Sequence, residues 1–151
     1  MPEQQNIEYK QSWHDDYLKW VCGFANAQGG VIFIGKDDNG KVIGISDYKK
    51  LMDEIPNKVK DLMGILVDVN LLEEKGLYFL EIITQPYAVP ISLRGRYYYR
   101  SGNTLVGFAT EVELKKGLAY TLDGVLAQPV IEEKCDVVAK AFTRYKEIQL
   151  T

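Results

Sequence analysis

The sequence predicts an α+β fold in which a mixed, hairpin-rich β-sheet is covered by helices mainly on one face. Two observations lead to this prediction. Several short apolar segments are separated by turn residues, as in strands joined by hairpins. Other segments repeat apolar residues at three- and four-residue steps, as in helices with one buried face. Strands and helices that are mixed in this way favour a sheet with helices packed against it.

Composition limits the function. A chain of 151 residues with 46% hydrophobic residues has enough material for one compact domain. Its formal net charge of -3 gives no support to a protein coated in nucleic acid, so an anionic partner must be met by a local patch. Two cysteines and one histidine indicate neither a disulfide framework nor a zinc cluster, which favours a cytoplasmic protein. A polar N-terminus and the lack of a membrane-length apolar run predict no membrane partner.

The first elements are a strand, a helix and a second strand. "NIEYK" is strand-like, and Ser12 with Asp15 forms an acidic capping box, which predicts a helix that begins near Trp13. Gly29 and Gly30 should end that helix.

"VIFIG" is a continuous apolar run, typical of a strand covered on both faces. Asn39-Gly40 then predicts a tight hairpin into "KVIGI".

The remaining elements follow from caps and turns. Ser46 or Asp47 can cap a second helix, which Pro56 should kink or split. "LVDVNLLEEKGLYFLEIIT" predicts two strands joined at "EEKG", and "VPISLRGRYYYRSG" two more joined near Arg94-Gly95. A capping box at Thr110 predicts a helix through about Tyr120. We therefore divide the chain into a domain over residues 1–121 and a linker with a C-terminal helix over 122–151.

Familiar catalytic patterns are missing from the sequence. It contains neither GxxxxGK[ST] nor GxGxxG, so the chain should not bind ATP by itself. His14 lies beside Ser12 at a predicted helix start, where a solvent-facing or capping role is far commoner than catalysis. We expect no cofactor from these patterns.

Carboxylate side chains offer one candidate site, for a metal ion. Glu3, Glu8, Asp37 and Asp38 lie in two segments that could converge, and clustered carboxylate oxygens are ligands for Mg²⁺ or Mn²⁺. The other interpretation is that both aspartates are turn residues beside Asn39-Gly40, and that Glu8 pairs with a lysine.

The segment "LRGRYYYRSGN" offers a second candidate site, for contact with nucleic acid. If it is extended, Arg96, Tyr98 and Arg100 share one face, where arginine can contact phosphate and tyrosine can stack on a base. Lys36 and Lys41 flank the Asn-Gly turn and could add charge. The alternative is a sheet strand with core tyrosines and a solvated arginine face.

Three segments together resemble the Schlafen AlbA-type domain, also called the divergent AAA domain, of bacterial transcriptional regulators. These are "IEYK" at 7–10, "VCGFANAQGGVIFIGKDDNGKVIGI" at 21–45 and "GRYYYRSGNT" at 95–104. The resemblance implies an α+β fold and a nucleic-acid-binding role, usually as the N-terminal module of a longer protein. The motif residues to which we assign structural roles are Asn26, Gly29, Gly30, Gly35, Gly40 and Gly44. We expect Asn26 to bond locally and the paired glycines to reverse the chain through positive φ.

The leading expectation is a DNA-binding module of a transcriptional regulator, with RNA as the alternative ligand. Its proposed contacts are Lys36, Lys41, Arg96, Tyr98 and Arg100. In vertebrate Schlafen proteins the related core cleaves structured RNA with three carboxylates, and Glu3, Glu8 and Asp38 match those positions. That resemblance implies a metal-dependent endoribonuclease, with Mg²⁺ or Mn²⁺ on Glu8 and Asp38, and a homodimer could restore the second copy found in vertebrates. A third alternative is a dimerisation or regulatory scaffold for an ATPase domain.

Overall fold

The computed structural model describes residues 6–88, 91–94, 96–101, 104–108, 119–120 and 126–127. Two helices, α1 (Leu18–Asn26) and α2 (Tyr48–Met63), lie within this part of the chain. The strands are β1 (Ile7–Lys10), β2 (Gly30–Ile34), β3 (Asp68–Glu74), β4 (Leu77–Thr84), β5 (Ser92–Leu93), β6 (Arg96–Ser101), β7 (Thr104–Phe108), β8 (Ala119–Tyr120) and β9 (Leu126–Ala127). Glu3, most of the helix predicted from Thr110 and the predicted C-terminal helix lie outside the described residues.

The strands form two sheets, whereas the sequence predicted one. In the first, the order is β1-β2-β4-β3; β1 and β2 run parallel, and the other neighbours are antiparallel. The second has the order β5-β6-β7-β8-β9 with antiparallel neighbours. A parallel pair needs a long crossover, and α1 provides it between β1 and β2. The α+β class and the mixed sheet are therefore confirmed.

The core lies between the first sheet and the helices. The β2 and β4 side chains that face the helices are fully buried, and α1 also packs against β6 of the second sheet. Every residue of α1 except Lys19 is buried, because the helix has a sheet on each side. Among the buried apolar side chains are Leu18, Phe24, Ile32, Ile34, Ile55, Val59, Leu80 and Ile82.

The first helix begins later than the sequence predicted. A short 3₁₀ turn occupies Asp15–Tyr17, and α1 starts only at Leu18. The carboxylate of Asp15 does not cap the helix, since its Oδ1 accepts hydrogen bonds from Trp13 Nε1 at 2.8 Å and from Lys58 Nζ at 2.9 Å. A tertiary contact has thus replaced the predicted local cap.

The second helix is continuous through Pro56, so the expected break is wrong. Proline removes one backbone donor and crowds the preceding turn, which costs about 3 kcal/mol in a helix interior. Ile55 and Val59, on either side of the proline, are fully buried in the core and hold the helix against the sheet. Asp47 precedes the helix without a side-chain capping bond, and Gly64 ends it with φ 69°.

Two predicted hairpins are present and a third is reduced to a single bridge. β3 and β4 are joined by Lys75 and Gly76, with φ of 52° and 79°, and β5 pairs with β6 around Arg94. After β2, only Lys36 and Val42 form a bridge. β2 already has β1 on one edge and β4 on the other, so no edge remains for the predicted hairpin strand.

The two glycines after α1 have different roles. Gly29 has φ 79°, which lets the chain reverse as predicted. Gly30 has no positive φ; instead, the ring of Phe24 occupies the place where a Cβ would stand. The helix and β2 therefore approach so closely that only glycine fits.

Candidate functional site

Two of the three side chains on the predicted basic face of β6 are buried. Tyr98 and Arg100 do share one face of the strand, but this face packs on α1, and their exposed fractions are 9% and 3%. The sequence correctly predicted that Tyr98 and Arg100 lie on the same face of the strand. The prediction that this face points to solvent was wrong for both side chains. Arg96, at the start of β6, is solvent exposed. Arg96 can therefore contact a ligand, whereas Tyr98 and Arg100 are enclosed.

Arg100 is enclosed because it pairs with Glu8 of β1. Its Nη1 donates to Glu8 Oε1 at 2.8 Å, and the side chains are 1% and 4% exposed. The other carboxylate oxygen of Glu8 lies 3.1 Å from Lys10 Nζ. The interpretation that Glu8 pairs with a lysine is confirmed, and Arg100 joins the same cluster.

Aromatic rings surround these cations. The guanidinium of Arg100 lies 4.7 Å from the ring centre of Trp20 and 5.0 Å from that of Phe24. The ammonium of Lys10 lies over Tyr17 at 4.9 Å. Cation–π contacts of this kind are strengthened where water is excluded. The cluster therefore links β1, α1 and β6 through side-chain contacts.

Asn26 joins α1 to the second sheet through its amide. Its Nδ2 donates to the carbonyl oxygens of Ile91 and Tyr98, each at 2.8 Å, and its Oδ1 accepts from Ile91 N. The expected local bond is present as a longer contact from Nδ2 to Cys22 Sγ at 3.7 Å. The shorter bonds, which the sequence did not predict, reach partners 65 and 72 positions away.

The thiol of Cys22 lies in the same place. It donates to the carbonyl oxygen of Ile91 at 3.2 Å. Burial raises the pKa of this thiol to about 12, so it is not a nucleophile at neutral pH.

The two aspartates after β2 form a turn. Oδ1 of Asp37 accepts from the backbone nitrogens of Asn39 and Lys41, both at 2.9 Å. Asp38 is solvent exposed. Gly40 and the flanking Gly35 and Gly44 all have positive φ, so this loop is fixed by its backbone. The turn interpretation of Asp37 is confirmed.

Glu8 and Asp38, as the structure places them, do not fit a bound Mg²⁺ or Mn²⁺. Glu8 is enclosed and already neutralised by Arg100 and Lys10, whereas Asp38 is exposed in the loop. A hard cation needs several oxygen ligands that are not already held by cations. Among the residues that the structure describes, no three His, Cys, Asp or Glu side chains are grouped so as to hold a metal ion.

Two loops near the ends of β2 and β5 carry exposed basic side chains. The turn between β5 and β6 carries Arg94 and Arg96, both exposed. Arg94 was not predicted as a contact, although "RGR" at a hairpin turn was visible in the sequence. Arg94 also helps to lower the pKa of Asp15, after the larger effects of the hydrogen bonds from Lys58 and Trp13.

The second of these loops follows β2. Lys41 is exposed, and the ammonium of Lys36 lies over three rings: 3.9 Å from the centre of Phe33, 5.1 Å from that of Phe79 and 5.6 Å from that of Tyr9. Nothing in the sequence pattern pointed to these aromatic partners of Lys36.

Among the helices of the described part of the chain, none has the length and the apolar character that a membrane span requires.

Comparison with known proteins identifies relatives by family and by fold. The sequence model of the family described as "Schlafen, AlbA_2" matches residues 3–108. No match was found among curated proteins.

The solved structures that share this fold include the two that follow. The crystal structure of the DIP2311 protein from Corynebacterium diphtheriae superposes with a TM-score of 0.55 at 19% identity over 67% of this chain, which spans only 21% of that protein. The solution structure of the N-terminal domain of a Nitrosomonas europaea protein, named for its relation to the ATP-dependent DNA helicase RecG, superposes with a TM-score of 0.50 at 21% identity. That alignment covers 62% of this chain and 73% of the domain. Both are similar to this chain in fold.

Proposed function

The chain belongs to the Schlafen AlbA_2 family, and from this premise we propose that it is a nucleic-acid-binding module of a bacterial transcriptional regulator, with DNA as the favoured ligand. The observation that carries the proposal is the turn between β5 and β6, which presents Arg94 and Arg96 to solvent. Arginine is well suited to contact phosphate, because its planar guanidinium can donate two parallel hydrogen bonds.

The turn is supported by buried contacts. At the other end of β6, Arg100 is held by Glu8, and Asn26 bonds the backbone at Tyr98. A phosphate-binding side chain on a rigid support loses less conformational entropy on binding than one on a loose loop. We therefore assign phosphate contact to Arg96 and Arg94, and a supporting role to Arg100.

The loop after β2 supplies further charge. Lys41 is exposed, and Lys36 lies in the same loop, which the bonds of Asp37 hold in shape. The net charge of -3 is compatible with this function if the basic side chains act locally and the acidic ones lie elsewhere. Lys36 and Lys41 thus remain proposed phosphate contacts, whereas Tyr98 is too deeply buried to stack on a base.

Two comparisons support the setting of the proposal. The name of the Nitrosomonas europaea protein refers to a DNA helicase, and its N-terminal domain has the fold of this chain. This chain spans about a fifth of the DIP2311 protein, so a domain of this fold occurs within a much longer protein. We propose the same modular use here.

Fluorescence anisotropy with labelled duplex DNA tests the proposal. We would titrate the protein at two salt concentrations with a chelator present, so that divalent metals do not contribute. Phosphate contact predicts binding that weakens steeply with salt. The variant R94Q/R96Q should bind more weakly, and the slope of log affinity against log salt should fall by about 1 for each phosphate that is no longer neutralised.

A control for each of the single variants R94Q and R96Q is Lys75→Gln, in the exposed turn between β3 and β4. It removes one positive charge from a different turn and should leave binding almost unchanged. Absence of duplex binding at both salt concentrations, or reductions in affinity for R94Q and for R96Q that are no larger than that for K75Q, would contradict the proposed interface.

A further inference from the structure

The first sheet has a second apolar surface, on the side away from the helices. We define the aromatic face as Tyr9, Phe33 and Phe79, with the ammonium of Lys36 above them. The ring centres of Tyr9 and Phe33 are 6.0 Å apart, and those of Phe33 and Phe79 are 6.2 Å apart. Strand register places these side chains on one side of the sheet, since Phe33 is the partner of Tyr9 and of Glu81.

The aromatic face is separate from the hydrophobic core. Ile32 and Ile34 alternate with Phe33 along β2 and point to the helices, where they are fully buried. Within the described residues, the core cluster includes none of the three aromatic side chains. The continuous apolar run "VIFIG" thus serves two surfaces, of which only one is covered by the helices.

Phe33 is the accessible member of the face. Tyr9 and Phe79 are 7% and 6% exposed, whereas Phe33 is half-buried. The ammonium of Lys36 lies 3.9 Å from the Phe33 ring centre, so a flexible charged group covers one face of this ring. A lysine head held by a cation–π contact can be displaced at modest cost, unlike a packed core side chain.

Charge is distributed unevenly around the face. Lys36 and the exposed Lys41 lie at the end of β2, and Glu81, which accepts a hydrogen bond from Asn70 at 3.2 Å, lies on the β4 side of Phe33. An anionic backbone would be attracted to the lysine side and repelled from the carboxylate side. A ring whose face is covered by a displaceable cation suits a ligand that combines a flat apolar group with a phosphate.

We propose that the aromatic face binds single-stranded nucleic acid: one unpaired base stacks on Phe33, and Lys36 moves its ammonium from the ring to the adjacent phosphate. This inference rests on the proposed function and specifies a class of ligand for a second surface. A paired base inside a duplex cannot present its flat side to a sheet, so the contact requires an unpaired base. Single-stranded DNA and single-stranded RNA share the base and the phosphate that this contact uses.

Anisotropy with three labelled probes tests the inference: single-stranded DNA and single-stranded RNA of about 12 nucleotides, a length on the scale of single-strand binding sites, and the matching DNA duplex. Phe33→Leu removes the ring and keeps a side chain that can pack. It should weaken the binding of at least one single-stranded probe roughly tenfold or more. Duplex binding should change little, because Arg94, Arg96 and the charge of Lys36 are all kept.

Two further variants separate stacking from folding. Phe33→Trp keeps a stacking ring and should retain single-strand binding, and its indole fluorescence should be quenched when a base stacks on it. Leu62→Ala alters an exposed apolar side chain of α2, on the other side of the sheet, and should change neither affinity. Circular dichroism melting should show each variant folded at the assay temperature.

The outcomes distinguish this inference from the function on which it rests. Duplex binding with no binding of either single strand, or single-strand binding that F33L leaves intact, would overturn the inference alone. Absence of binding to all three probes would overturn both. Weaker binding of F33L to single-stranded DNA, to single-stranded RNA or to both supports the inference and shows which kind of strand the aromatic face binds.

Discussion

Arg100 Nη1 donates a hydrogen bond to Glu8 Oε1 across 2.8 Å, although the two residues are 92 positions apart in the chain. Both side chains are almost completely buried. The pair therefore connects the first strand of one sheet to the second strand of the other. A buried ion pair is not by itself a strong source of stability, but removal of one partner leaves a buried charge without compensation.

Arg100→Met should destabilise the protein strongly for this reason, by about 3–5 kcal/mol. Glu8 would keep Lys10 as its partner, so the lower part of that range is expected. The double variant R100M/E8L removes both charges of the pair, leaves only the partly exposed Lys10, and should recover much of the stability. Urea unfolding of the wild type, both single variants and the double variant gives the coupling energy. Additive effects would contradict the direct pairing.

The sequence predicted which side chains of the site share a strand face better than it predicted which face is buried. Alternation in "RYYYRS" correctly placed Tyr98 and Arg100 on one face. Which face points inward could not be read from the strand, because tyrosines lie on both sides and arginine normally favours solvent. The deciding residue is Glu8, whose position is known only once both sheets are folded.

Other sequence predictions failed for the same reason, which is that contacts between distant parts of the chain replaced the local ones. Asp15 has the spacing of a helix cap, yet its carboxylate is used by Trp13 and Lys58. Pro56 is a helix breaker locally, and burial of its neighbours keeps the helix intact. Turn chemistry was more reliable, because Lys75-Gly76 has its backbone geometry fixed by residues within the turn. Local signals were sufficient where the cause was local.

The contact between Asp15 and Lys58 predicts a pH dependence. The hydrogen bond from Lys58 lowers the pKa of Asp15, with a smaller contribution from Trp13. A carboxyl whose pKa is lower in the folded state stabilises the fold above its unfolded pKa of about 3.9, and this contribution disappears as the pH falls through the folded value. Asp15 is exposed, so the effect on stability should be small.

Lys58→Gln should therefore raise the pKa of Asp15 toward its ordinary value. A carboxyl-detected NMR titration measures this directly. Lys60→Gln, which removes an exposed charge from the same helix, should leave the Asp15 titration unchanged. If the wild type and K58Q titrate alike, the contact does not persist in solution.

The close approach of Gly30 to Phe24 predicts a steric effect. Gly30→Ala places a Cβ in the space of the Phe24 ring, so overpacking should destabilise the fold by about 1–3 kcal/mol. Phe24→Leu alone leaves a cavity, but the double variant G30A/F24L should be destabilised by less than the sum of the two single variants. Thermal or urea unfolding measures all three.

Gly64→Ala is the control for Gly30→Ala, because it tests the cost of backbone strain without a steric clash. Gly64 has φ 69°, and a Cβ added to it would meet no atom within 4 Å, so the cost of the substitution is conformational and should be about 1–2 kcal/mol. Phe24→Leu should add independently to Gly64→Ala. Equal coupling of F24L with both alanine variants would contradict a direct contact between Gly30 and Phe24.

The pairing of Glu8 makes a prediction about RNA cleavage. A carboxylate held by Arg100 and Lys10 is poorly placed to bind a divalent cation, so structured RNA incubated with this protein and Mn²⁺ should remain intact. Electrophoresis of labelled RNA, with the wild type and Asp38→Ala in parallel, measures this. A contaminating nuclease would cleave equally in both lanes. Cleavage by the wild type that D38A and Glu8→Gln each abolish would show that these carboxylates act together, and would require Glu8 to leave Arg100 during the reaction.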